Sequence, residues 1–127
     1  MTDPVTFALV LLFLLQVKHL FADFYLQTPR MLANRGVYMH VGRLQHAGLH
    51  AVGSLVAMVL VGVPVWLALV VAVVEWVAHF HIDWCKGWWS EHTGHDPSQG
   101  GFWRAFGLDQ ALHQWTYLVM AWVVLPG

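Results

Sequence analysis

The chain has 127 residues, enough for one domain, and 58% of its side chains are hydrophobic while only 10% are charged. A soluble globular domain carries roughly 25% charged residues, and the mean hydropathy of +0.57 departs from that class in the same direction. A formal net charge of −1 gives no basic footprint for a nucleic-acid partner, and the single cysteine, Cys85, excludes an internal disulfide framework, a CxxC zinc site and a CxxCH haem attachment.

The opening Met-Thr-Asp-Pro lacks the basic n-region of a signal peptide, and no small-residue cleavage site follows the first apolar run. That run is therefore expected to be a retained span, from about Pro4 to Gln27, with Pro4 in a first-turn position. A second helix is predicted from about Leu44 to Val61, where Ala47, Gly48, Ala51, Gly53, Ser54 and Ala57 would let a neighbouring backbone approach closely. The Gly62-Val63-Pro64 turn leads into a third, about Val65 to Lys86, and a fourth runs from about Arg104 to Leu125. Each has about 18 to 24 residues, against the roughly 20 that cross the hydrocarbon core. The expected fold is all-α: an integral membrane four-helix up-down bundle, a single domain over residues 1–127.

Two polar connections complete the chain. The first holds Thr28-Pro29 and ends near Gly36, the pattern of an N-cap, a first-turn proline and a C-terminal glycine around a short surface helix. The second, Gly87 to Trp103, contains Glu91, His92, His95 and Asp96, which read as solvated loop residues. Arg30, Arg35 and Arg43 lie in the first connection, and Lys86 and Arg104 flank the second. By the positive-inside rule both connections are cytoplasmic and both termini lie on the non-cytoplasmic side. Trp84, Trp88, Trp89 and Trp103 form the cytoplasmic aromatic belt in this reading, with Trp66 and Trp122 opposite.

Each predicted span carries polar residues four apart: His19, Asp23 and Gln27; His46 and His50; Glu75, His79 and Asp83; Asp109 and His113. Four residues is about one helical turn, so each set points from one helix face. At about 1.5 Å rise per residue, His19, His50, His79 and His113 fall roughly 9 to 14 Å below the cytoplasmic helix ends, and Asp23, Asp83 and Asp109 roughly 4 to 8 Å below. Four helices thus contribute a deeper histidine layer and a shallower carboxylate layer.

Histidine and aspartate on facing helices suit a divalent metal, zinc first, with iron or manganese next. The candidate ligands are His19, Asp23, His50, His79, Asp83, Asp109 and His113. That surplus fits a dinuclear centre, or one metal with carboxylates hydrogen-bonding the far nitrogens of its histidines. His46 stands between ligand and solvated interfacial side chain. Glu75 reads as a proton relay or outer partner, and Lys18 as a snorkelling side chain or the partner of a carboxylate. Gln27 and Gln110 read as hydrogen-bond partners and Cys85 as an inert interfacial thiol.

The run His19-Leu-Phe-Ala-Asp23-Phe-Tyr-Leu-Gln27-Thr, the histidine at 50, His79-Phe-His-Ile-Asp83-Trp-Cys-Lys86 and Asp109-Gln110-Ala-Leu-His113 resemble domain-of-unknown-function family 3307. The resemblance covers roughly residues 8 to 120. It implies a small multi-pass protein of the bacterial inner membrane, and carries no activity. His46 and Glu75 lie outside its pattern.

Four functions fit the polar layer. The first is a metal-dependent hydrolase acting near the cytoplasmic face on a lipid-linked or amphiphilic substrate, with Asp23 or Asp109 as general base. The others are an accessory or structural subunit whose polar layer is a hydrogen-bond network, a divalent-metal transporter or sensor, and a haem-binding protein. Besides the lipid bilayer, a second copy of the chain is a candidate partner.

Overall fold

The computed structural model describes residues 3–127, which form five helices and no strand. They are α1 (Pro4–Phe24), α2 (Pro29–Leu32), α3 (Val41–Leu60), α4 (Val65–Thr93) and α5 (Gly100–Val123). The Asp3 carboxylate starts α1 by accepting from the backbone N–H groups of Val5 and Thr6 at 3.3 and 2.8 Å. Gly62, at φ 94°, reverses the chain between α3 and α4 in a conformation that only glycine adopts without strain.

The four long helices close a ring, α1 and α4 each packing beside both α3 and α5. Phe7 in α1, Val61 at the end of α3, Ala68 in α4 and Val124 at the end of α5 meet in one apolar cluster. Successive long helices therefore alternate in direction. Leu11, Leu15 and Met58 complete the seal at this end.

At the other end the pattern inverts. The ionisable side chains of His19, Arg43, His46, His50, Glu75, His79, Asp109 and His113 are buried there, beside the small Ala22, Ala47 and Ala51. Apolar groups cover the outside of the ring: Phe13, Val56, Val74 and Val119, one from each long helix, are all more than half exposed. Two helices, α1 and α4, are long and apolar enough to cross a membrane.

The connections differ from the sequence expectation. α4 continues to Thr93 instead of stopping near Lys86, and α5 begins at Gly100, one turn before Arg104. Gly87 does not end α4, because nothing after it opposes helix until Gly94 takes the left-handed conformation at φ 63°. The second connection thus shrinks to residues 94–99. At the first, α2 is a single turn whose N-cap, Thr28, accepts from the Met31 N–H at 3.3 Å. Asn34 at φ 51°, and not Gly36, takes the left-handed position after it. α1 ends at Phe24 and α3 begins at Val41, each about one turn from the expected limits.

The segment between α2 and α3 is tied down over the extended end of α4. Buried Arg43 donates to the carbonyl oxygens of Arg35 at 2.7 Å and of Val37 and Tyr38. Gly36 donates its N–H to Glu91 at 3.0 Å, and its carbonyl accepts from the Trp84 indole at 3.1 Å. The closeness of this contact depends on Gly87, where a Cβ would lie 2.5 Å from the Arg35 carbonyl oxygen. Gly87→Ala is therefore expected to push the segment off α4, at a cost of about 1–3 kcal/mol. Limited trypsin digestion of detergent-purified protein should cut faster after Arg30 and Arg35 than in the parent; an unchanged digestion rate contradicts this packing.

Candidate metal centre

The i, i+4 pairs bring one histidine from each long helix to the ring axis. His50 and His79 have ring centroids 4.0 Å apart, His79 and His113 4.2 Å, His19 and His50 5.7 Å, and His19 and His113 6.1 Å. The square closes through α1, α3, α4 and α5 in turn. Asp23, Asp83 and Asp109 lie beside it, and so does His46, whose ring sits 4.8 Å from His50 and 5.5 Å from His79. His46 is buried, which settles its position: it belongs to the centre and not to the interface. Its i, i+4 relation to His50 was the signal for it.

The two halves of this layer differ. On one side three imidazoles gather around Asp23, with Oδ1 2.8 Å from His50 Nε2, a hydrogen bond, and 3.1 Å from His46 Nε2, and Oδ2 3.0 Å from His19 Nε2. Lys18 reinforces that side, since its ammonium donates to His50 Nδ1 at 3.2 Å. With Nδ1 accepting, the His50 proton sits on Nε2 and donates to Asp23.

On the other side Asp83 faces His79 Nε2 at 3.1 Å, His113 Nε2 at 3.4 Å and His46 Nε2 at 3.7 Å. His79 Nε2 and His113 Nε2 are buried yet make no hydrogen bond among the described residues, which is also true of His19 Nε2 on the Asp23 side. His113 Nδ1 donates to the Asp109 carbonyl oxygen at 2.7 Å, which leaves an acceptor lone pair on its Nε2. A lone pair and a carboxylate within van der Waals reach, with no proton aligned between them, is an arrangement that a cation would satisfy. His79, Asp83 and His113 form one set of donor atoms within 4.8 Å of one another, and His46, His50 and His79 form a second.

Asp109 stands slightly apart. Its Oδ1 is buried without a hydrogen bond, while Oδ2 accepts from Gln110 at 3.2 Å and lies 3.7 Å from the Lys86 ammonium. One turn below the histidines, Lys18 donates to Glu75 at 2.9 Å and to the Tyr117 hydroxyl at 3.0 Å. Glu75 is thus a counter-ion, one helix across the ring from Lys18. His92 and Asp96 are exposed as expected, whereas His95 is half-buried with its Nδ1 unpartnered. Gln27 lines the cavity above the centre.

That cavity has a volume of about 440 Å³ and lies at the α2 end of the ring. Asp23, His46, Asp83 and Asp109 line it on the side of the centre, and Arg35 and Glu91 line its mouth. Carboxylates and an imidazole therefore reach a space large enough for a small polar group, while His50 and His79 stay sealed beneath.

Fold and site together define an all-helical protein with a buried histidine–aspartate centre beneath a polar cavity. Residues 11–126 match the family described as Protein of unknown function (DUF3307), and the chain belongs to it. No curated protein and no solved structure matches the chain.

Removing one member of a buried ion pair leaves the other uncompensated, which costs about 3–5 kcal/mol, whereas removing both is much milder. Lys18→Met should accordingly lower the thermal midpoint in detergent sharply, and Lys18→Met/Glu75→Leu should recover most of the loss. A double variant less stable than the single would contradict the pairing.

Proposed function

We propose that this chain is a four-span protein of the bacterial inner membrane whose histidine–aspartate layer holds a divalent metal ion and serves a metal-dependent hydrolase. Its substrate is a lipid-linked or amphiphilic molecule reaching the site near the cytoplasmic face. The membrane reading is supported by the apolar exterior on all four long helices around an ionisable interior. The two ends also carry Trp66 and Trp122, and Trp88, Trp89 and Trp103, as exposed aromatic groups. Lysine and arginine cluster at the end bearing α2, which supports both termini lying outside.

The observation that carries the metal reading is the pair of unpartnered nitrogens, His79 Nε2 and His113 Nε2, facing Asp83. Two ligands about 2.0 Å from a tetrahedral ion lie roughly 3.3 Å apart. The distances of 3.1 and 3.4 Å from Asp83 to these nitrogens fit that spacing. His46 belongs to the other donor set and its Nε2 already lies 3.1 Å from Asp23, which leaves a fourth position for water. His50 is less suited, because Lys18 and Asp23 already occupy both its nitrogens. The two donor sets share His79, and a neutral imidazole has one lone pair to give, which favours a single ion. Nitrogen and carboxylate donors suit zinc first, then iron or manganese.

A metal bound there would supply Lewis acidity toward water or an ester oxygen. The protein's own part is assigned to three groups. Asp109, with its buried free oxygen on the cavity wall, takes the proton from attacking water. Asp23 orients His19, His46 and His50. Lys86, beside Asp109, faces developing negative charge. The unbroken α1, α3, α4 and α5 lack the discontinuous helices of transporters. Imidazoles packed at 4.0 and 4.2 Å leave no slot for a macrocycle between them.

One observation favours a second reading. Asp23 already draws three imidazoles from two helices, α1 and α3, together without any ion, as a structural hydrogen-bond network of an accessory subunit would. The two readings separate in a thermal-shift experiment on chelator-stripped protein in detergent. Zinc, iron(II) or manganese should raise the midpoint of the parent and of Asp109→Ala by several degrees, and leave His79→Ala and His113→Ala unmoved. Asp109→Ala should at the same time hydrolyse no ester that the parent hydrolyses. Absence of any shift in the parent would transfer the assignment to the structural network.

A further inference from the structure

Outside the ring, the crevice between α4 and α5 is open along most of its length. Its lower part is an apolar groove of about 510 Å³ lined by Val70, Val74, Ala78, Trp115 and Val119. Its upper part is a second groove of about 480 Å³, with Trp89, Ala105 and Leu108 on its walls. Ile82 and Leu112 line both, so the two grooves are continuous. From Val70 to Lys86 the α4 backbone rises about 24 Å, the scale of an extended acyl chain.

The top of this crevice is chemically different from its walls. Lys86, His95 and Arg104 all line it. Arg104 is exposed and has no acidic partner within ion-pair distance among the described residues. His95 keeps a buried Nδ1 without a hydrogen bond. Lys86 and Asp109 line this groove and also the polar cavity above the centre. They are the partition between the two spaces, and only a 3.7 Å ion contact joins them.

We propose that the α4–α5 crevice is the lateral entry and binding site of a phosphate-bearing amphiphile. Its acyl chain lies along Ile82, Leu108 and Leu112. Its headgroup phosphate is held by Arg104, His95 and Lys86, and the group beyond the phosphate passes Asp109 into the polar cavity. Charge complementarity selects an anionic headgroup, since three potential donors meet at the mouth, and Asp109, the one carboxylate among the described residues lining this groove, lies on the inner side. This inference deepens the hydrolase reading by naming its substrate class and route, and rests on it only for the fate of the bound molecule.

Cys85 is the chain's single cysteine, is exposed, and lines the upper groove, so its alkylation rate reports occupancy directly. Protein in uncharged maltoside micelles is treated with a maleimide in the presence of lysophosphatidic acid, of the monoacylglycerol with the same chain, or of inorganic phosphate. Lysophosphatidic acid should slow labelling saturably by at least tenfold, and the other two should leave it nearly unchanged. Arg104→Gln, at an exposed position that leaves folding intact, should weaken that protection about tenfold or more, and Lys86→Ala/Arg104→Gln should abolish it. The same protection is expected in His79→Ala, so the groove is tested whether or not the centre binds metal. Equal protection by the uncharged lipid, protection by phosphate alone, protection insensitive to Arg104→Gln, or protection confined to metal-loaded parent protein would each overturn the proposal.

Discussion

Ionisable groups withdrawn from water persist only when other protein groups replace the lost hydration. In this chain the requirement falls on four helices at one level, because every long helix sends at least one imidazole or carboxylate inward. Some contacts stay within a helix, as His19–Asp23 and His79–Asp83 do, but others cross the ring. Asp23 of α1 takes imidazoles from α3, Asp83 of α4 faces His113 of α5, and Lys18 reaches across to Glu75 and Tyr117. The ring order, the alternation of helix direction and the depth of each polar residue are constrained together by these contacts. The apolar cluster at the opposite end closes the helices but carries no comparable register.

The same constraint leaves a residue of dissatisfaction where chemistry can enter. Asp23 and its histidines are within hydrogen-bonding distance of one another, and Lys18 anchors that side from below. His79 and His113 are buried against the half-buried Asp83 but unaligned for hydrogen bonds with it. A buried polar atom without a partner costs free energy of order 1–3 kcal/mol, and two such atoms, His79 Nε2 and His113 Nε2, face the same carboxylate. The cavity above, with Asp109 and Lys86 at its edge, gives that carboxylate access to something outside.

Much of this layer was legible in the sequence because its signal is local. Four-residue spacing within each helix states which side chains share a face, and distance from the helix end states depth. His46 was harder to place, since near a helix start burial depends on what covers it. The cover is the segment held by Arg43, Trp84 and Glu91, a long-range contact that no local pattern encodes. The expected end of the third helix near Lys86 fell short for a related reason: the missing Cβ of Gly87 serves the close approach of the Arg35 carbonyl, and the helix runs on to Thr93. The pairing of Lys18 with Glu75 joins residues 57 apart in sequence, so spacing alone could supply only the need for a partner.

The central claim is that a metal ion occupies the point between His79, Asp83 and His113 in the protein as cells make it. The direct measurement is elemental mass spectrometry of protein purified in detergent without chelator or added metal, beside a His79→Ala control prepared identically. The account predicts about one equivalent of zinc, iron or manganese per chain in the parent and its loss in the control. Metal-free parent protein, or metal retained undiminished by His79→Ala, would contradict it.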